Sequence, residues 1–211
     1  MARLMADEGF REEQRLHCFD EHIAPINRFV EDLRRDGNNW MPYVAPMYGG
    51  TSARLLSVLR DPGPKTQANN GSGFLCMEND DPTAERICGL FRDAGIDATD
   101  IIPWNAYPWY INRSPRAAEL NAGIAPLKRI IDLLPKLQVV MLHGGSAHDG
   151  WRRLKREYPN IEVDRGLLVI ETYHTSRQAF WHRDPKVRAD RAEHLRKSFH
   201  HAAYRLKLTS S

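Results

Sequence analysis

Leu55-Leu-Ser-Val-Leu59-Arg60-Asp61-Pro62-Gly63-Pro64 is a short apolar run that ends on a charged pair and a Pro-Gly-Pro turn. An apolar run of this length, closed by turn residues, reads as a buried strand. The pattern recurs in Ile101-Ile-Pro-Trp-Asn105, in Gln138–Leu142 before His143, and in Gly166–Ile170 before Thr172-Tyr-His174. Helical signals lie between these runs. Asp81-Pro82-Thr83 opens a helix that runs to about Ala94 and stops at Gly95, with proline at a favourable early position. Residues 115 to 134 read as a helix broken around Gly123, Ser146 to Glu157 as another, and Asp184-Pro185 begins a last helix. Strands alternating with helices predict a three-layer α/β/α fold with a four-stranded, mostly parallel sheet. Such sheets bind ligands outside the carboxyl ends of their strands. Asp61, Asn105, His143 and His174 all fall there.

Upstream, Phe10, Leu16, Phe19, Ile23, Ile26, Phe29, Val30 and Leu33 keep roughly helical spacing over residues 6 to 35 and stop at Asp36-Gly37. Residues 1 to 50 are expected to form a helical extension packed on one side of the sheet, within a single domain spanning residues 1 to 211. Residues 61 to 81, rich in Gly, Asn, Asp and Pro, read as a long irregular loop, a feature that in a compact domain is usually functional or disordered.

Hydrophobic content of 42% and charged content of 27% fit a soluble globular protein. No apolar run approaches the ~18 residues of a membrane span, and Met1 to Arg15 lacks a continuous apolar core, so a cytoplasmic protein with no membrane partner is expected. Cys18, Cys76 and Cys88 form no Cys-x-x-Cys pair and read as reduced thiols. His143, His148, His174 and His182 lack zinc-ligand spacing, and His200 and His201 are adjacent on a helix and face different ways; no metal or other cofactor is expected. From Trp151 onward there are 14 Lys and Arg against 7 Asp and Glu, while the preceding residues carry a net −4. A basic C-terminal third suits a phosphate backbone, although Arg152-Arg153-x-Lys155-Arg156 reads equally well as a solvated helix face.

Taken in order, the segments ending at Asp61-Pro62, Gly71-Ser-Gly-Phe74, Asn105 and His174-Thr175-Ser176 resemble the motifs of the uracil-DNA glycosylase superfamily. Asp61-Pro62 is similar to its water-activating motif, and the stretch to Phe74 aligns without a gap. Asn112-Arg-Ser-Pro115 resembles the Asn-Arg-x-Pro of a thermophilic branch, and Leu142-His-Gly144 the Leu-Trp-Gly that ends the third strand. The resemblance covers roughly residues 50 to 205. The chain also departs from the pattern. Leu59 and Arg60 stand where the first motif opens with glycine, Gly63 where a tyrosine excludes thymine's methyl group, and Thr175 where His-Pro-Ser has proline. The cysteines lack the spacing of the iron–sulfur branches, so no cluster is expected.

The resemblance implies a monomeric DNA glycosylase releasing uracil or a related damaged base during base-excision repair. It implies that Asp61 orients a water and balances positive charge on the sugar, that His174 donates to O2 of the departing base, and that Asn105 reads the pyrimidine edge. Phe74 stacks on the base, with Met77 as its competitor for that role, and Gly63 leaves room for 5-substituents. Ser176, with Thr175 and nearby amides, holds a flanking phosphate; Arg177, aided by Gln178, is the wedge that fills the vacated stack. Trp104, Trp109, Tyr110 and Trp181 stay unassigned. Blander readings stand beside these: Asp61 as a turn residue before Pro62, Asn105 as a strand-end cap and Phe74 as a core aromatic. Two other functions stay open: a catalytically weak or inactive relative that binds uracil-containing DNA, and a nucleoside or nucleotide hydrolase, which the basic C-terminal third disfavours.

Overall fold

The computed structural model describes residues 3–36 and 40–208. Its strands are β1 (Tyr43–Val44), β2 (Leu55–Leu59), β3 (Phe74–Leu75), β4 (Ile101–Asn105), β5 (Val139–His143) and β6 (Leu168–Thr172). The helices are α1 (Glu8–Leu16), α2 (Ala24–Asp36), α3 (Pro82–Ala94), α4 (Ala117–Ala122), α5 (Ile124–Asp132), α6 (Gly145–Glu157), α7 (Ile161–Asp164), α8 (Arg177–Phe180) and α9 (Pro185–Leu208). The main sheet has the order β4-β2-β5-β6 and every pairing in it is parallel; β1 and β3 form a separate small parallel sheet. No helix among the described residues is long and apolar enough to cross a membrane.

Register divides the side chains between two faces. Ser57 lies opposite Pro103 and Met141, so Leu55, Ser57 and Leu59 share a face with Pro103, Asn105, Met141 and His143. That face packs on α9 and, through it, α3: the ring of Phe199 lies 5.8 Å from His143 and 4.6 Å from Phe91. The opposite face carries Val58, Trp104 and Leu142 toward α2 and α6, with Phe29 of α2 stacked on Trp104 at 6.1 Å. Both faces of β2, β4 and β5 are covered, which is why these strands read as continuous apolar runs. Pro103, which has no N–H, is tolerated because β4 is an edge strand.

Asp81 caps α3 by accepting from the Thr83 N–H at 2.8 Å, Pro82 fills the first turn, and Gly95 ends the helix at φ 71°. The run of residues 6 to 35 is two helices and not one. A turn at residues 17–23 separates them, and Pro25, which has no N–H for a continuing helix, sits in the first turn of α2. Gly37 lies outside the described residues. Residues 61 to 81 are also more ordered than expected. They include β3, and Ser72 Oγ donates to Asn79 Oδ1 at 2.6 Å while Asn79 Nδ2 donates to the Phe74 carbonyl at 3.0 Å.

Candidate functional site

The carboxyl ends of β2, β4 and β5, together with the chain after β6, open on a cavity of about 760 Å³. Asp61, Gly63, Asn105, His143, His174, Ser176 and Gln178 line it, and Asn79 and Asp81 enter from the head of α3. Residues more than a hundred positions apart thus meet because each stands at or just past a strand end in one parallel sheet.

Asp61 follows β2 by two residues. Its backbone lead-in is fixed to the chain after β4: the Ala106 N–H donates to the Leu59 carbonyl at 2.8 Å and the Tyr107 N–H to the Arg60 carbonyl at 3.0 Å. The Asp61 side chain is 2 % exposed. One carboxylate oxygen accepts from Arg60 Nε; the other, Oδ2, is buried and makes no well-formed hydrogen bond among the described residues, although the Ile111 and Asn112 amides lie near enough to favour the charged carboxylate. Burial raises the carboxyl's pKa above the usual range, opposed by Arg60 and by the Asn112 and Ile111 amides. This is a carboxylate held partly desolvated, as a group that must bind a water or face a cation would be.

Asn105 ends β4 and is buried, and its Nδ2 has no partner among the described residues. A buried amide donor with no acceptor costs about 1–3 kcal/mol unless a ligand supplies one. His174 receives the Ser176 N–H on Nδ1 at 3.0 Å. Nδ1 is therefore an acceptor, and the neutral ring carries its proton on Nε2, the tautomer suited to donate into the cavity. Burial first, and then the Arg60 charge, push the His174 pKa down, while Asp81 pushes it up. Gly144, at φ 85°, allows this approach: a Cβ there would stand 2.9 Å from the Cβ of His174. His143 is also neutral, its pKa driven to about 3 by burial, and its Nε2 lies 3.0 Å from Ser57 Oγ.

Of the other expected site residues, Phe74, Thr175 and Arg177 lie off the cavity wall, while Met77, Ser176 and Gln178 are on it. Phe74 is buried in β3, its ring tilted against Tyr43 at 6.5 Å, and is not part of the cavity lining; Leu75, Cys76 and Met77 are. Thr175 is fully buried, its carbonyl accepting from Arg86 Nη1 at 2.8 Å, so it anchors the loop to α3 and presents nothing to a strand outside. Ser176 precedes α8 as its N-cap, and Arg177 and Gln178 begin that helix exposed. In the basic run on α6, Arg152 and Arg153 share Asp149 and Lys155 pairs with Glu162, so two carboxylates partly offset the four cations of this helix face. Burial pushes the Cys76 thiol to about 12, so it stands in the cavity protonated and is no nucleophile.

Two features were not expected from sequence. Arg60 lines the cavity beside Asp61. Trp181, at the end of α8, is 74 % exposed, and Arg191 Nη1 bonds the carbonyls of Ala179 and Trp181 at 2.9 and 3.4 Å, fixing the turn that presents it. An indole in the basic run after His174 was the only sequence signal for it.

The family model described as the uracil DNA glycosylase superfamily matches residues 46–201. No curated protein matches the chain.

Proposed function

The chain belongs to the uracil-DNA glycosylase superfamily, and from that premise we propose that it hydrolyses the N-glycosidic bond of uracil or a related deaminated base in DNA. The observation that carries the reading is that Asp61, Asn105 and His174 line one cavity, with Asp61 Oδ2 and Asn105 Nδ2 buried and making no well-formed hydrogen bond among the described residues and His174 holding its proton on Nε2. An extruded deoxyuridine complements each of them. Asn105 donates through Nδ2 to O4 and accepts through Oδ1 from N3–H. His174 Nε2–H donates to O2, where negative charge gathers as the C1′–N1 bond breaks and its electron pair leaves with the base. Asp61 faces the sugar, balances its positive charge and orients the water whose oxygen bonds to C1′. The proton that water loses passes by way of Asp61, and the departing base is protonated to neutral uracil. The products are the free base and an abasic sugar.

Strand scission by alkali of a labelled oligonucleotide carrying one uracil, after incubation with the protein, tests the reading. A second reading, a relative that binds such DNA without turnover, draws on the Arg60–Asp61 contact, which occupies one oxygen of the carboxylate. Tight binding with no abasic product would favour it.

Gly63 bears on which bases fit. A Cβ built there meets nothing within 4 Å, and φ −76° is ordinary for any residue, so the backbone does not demand glycine. What glycine contributes is space on the cavity wall. Gly63→Tyr is expected to leave uracil release near the wild-type rate and to suppress release of 5-substituted uracils. If the wild type releases uracil but no 5-substituted base, and the variant behaves identically, the space has no such role.

Trp181 is exposed two residues beyond Ala179 of the cavity wall, and its proposed role is to stack on a base of the bound strand. Base–aromatic stacking is worth roughly 1–3 kcal/mol, so Trp181→Ala should weaken binding of a non-cleavable oligonucleotide by about 5- to 150-fold. Fluorescence anisotropy would measure it. An unchanged dissociation constant would return Trp181 to the ordinary surface.

A further inference from the structure

Arg60 departs from the family pattern, and the structure gives it a place in the chemistry. Lateral pairing of β2 with β4 ends at Leu59 opposite Asn105, yet the Tyr107 N–H holds the Arg60 carbonyl at 3.0 Å, so the Arg60 backbone stays fixed beside Asn105. Its side chain lines the cavity that Asp61, Asn105 and His174 share. The guanidinium uses Nε on Asp61 Oδ1; its two Nη groups have no partner among the described residues. At 39 % exposure the arginine is the open member of a pair whose carboxylate is 2 % exposed. Donors in a rigid fork, left unpaired in a cavity, suit an acceptor that carries negative charge.

Two such acceptors enter with a DNA substrate, the departing base and a backbone phosphate. The place of Arg60, just past the end of β2 and on the same cavity wall as Asn105, favours the base. His174, held neutral, donates one hydrogen bond but supplies no countercharge, and a charge-assisted bond is roughly twice as strong as a neutral one.

We propose that Arg60 is a catalytic residue of base release, its Nη donors meeting the departing base alongside His174 Nε2–H and stabilising the negative charge that develops as the C1′–N1 bond breaks. This rests on the glycosylase reading. The bonding pair goes to the base, the water oxygen replaces it at C1′, and Arg60 neither gains nor loses a proton. Nε stays on Asp61, so one guanidinium fixes the carboxylate on the sugar side and serves the leaving group on the other.

Single-turnover release from oligonucleotides carrying uracil or 5-fluorouracil separates this from a positioning role. Fluorine withdraws electrons, so the 5-fluorouracil anion needs less help. Arg60→Gln is expected to slow uracil release by about 10- to 100-fold, the worth of one charge-assisted bond, to slow 5-fluorouracil release by clearly less, and to be partly rescued in Arg60→Lys. In the free protein, the His174 imidazole titrates among Arg60 at the end of β2, His143 at the end of β5 and Asp81 at the head of α3. Removing the Arg60 charge should raise its NMR-measured pKa. Equal losses for both bases would make Arg60 a holder of Asp61 only. A loss confined to DNA affinity, with a shallower salt dependence, would make it a phosphate clamp. An unmoved His174 titration would show that the Arg60 charge does not reach the leaving-group side. Each of these overturns the assignment while leaving the glycosylase reading intact; a wild-type protein that releases no base overturns that reading and the Arg60 role with it.

Discussion

Asp61→Asn is expected to slow uracil release by about 10²–10⁴-fold, the usual contribution of a positioned acid–base group, while leaving the protein folded and no less stable. The two halves follow from one fact, the burial of this carboxylate. In catalysis, an ionised group that keeps one oxygen unpaired can hold a water and face a sugar cation; an amide carries no charge and is a poor base. In stability the sign reverses. Burial raises the carboxyl's pKa above its unfolded value, so between those two values the folded state binds more protons than the unfolded one. Stability therefore falls as pH rises through that window, and at neutral pH the full penalty is present. Asparagine has nearly the same shape, can still accept from Arg60, and lacks the penalty. Its melting temperature at pH 7 should equal or exceed that of the wild type. The wild-type rate should fall as pH drops through the raised pKa, giving an acid limb above the ordinary carboxylate range. A variant that releases uracil at the wild-type rate would remove Asp61 from the chemistry, and a variant that unfolds would refute the burial argument.

The residues legible in the sequence share a physical trait. Asp61, Asn105 and His174 each stand at or just past the end of an apolar run, and in a parallel sheet all such ends fall at one edge, where ligands bind. Finding the strands therefore finds these residues of the cavity wall. What stayed hidden depends on contacts that no local pattern encodes. Phe74 turns toward Tyr43 because β3 pairs with β1, two-residue strands too short to show a period. Thr175 is buried because Arg86, on α3, reaches its carbonyl. The run of residues 6 to 35 keeps helical spacing through its break, since the turn at residues 17–23 still buries Cys18 and Ile23. The His174 tautomer was closed to sequence reading because it is set by a bond from Ser176 N–H that requires the folded loop. Arg60 looked like a lapse from the motif; its identity as a cavity residue emerges only once Tyr107 is seen holding its backbone.

Asn105→Leu separates fold from function most sharply. Leucine shares the γ-branching and heavy-atom count of asparagine, its greater bulk has the cavity that residue 105 lines to occupy, and position 105 lies at the end of a fully buried strand, opposite Leu59. The wild-type amide leaves Nδ2 buried and unpaired, a penalty of about 1–3 kcal/mol that leucine removes. The variant is therefore expected to be more stable, its melting temperature higher by about 2–4 °C for each kcal/mol recovered. Uracil release should fall by about 10³-fold, because two polar groups of the base, O4 and N3–H, would each meet hydrocarbon at about 2 kcal/mol apiece. Discrimination should collapse as well. In the proposed role the wild-type amide would reject cytosine by presenting the wrong donor and acceptor to its edge, a penalty available only to a site built for hydrogen bonding, whereas leucine would leave both bases equally unmatched. Calorimetry of the free variant, alongside parallel release assays on uracil and cytosine, measures all three effects. A destabilised variant that still prefers uracil would mean that Asn105 is a strand-end cap after all. A stabilised and indiscriminate one would show that the fold bears the cost of an unpaired amide at this position because a base completes it.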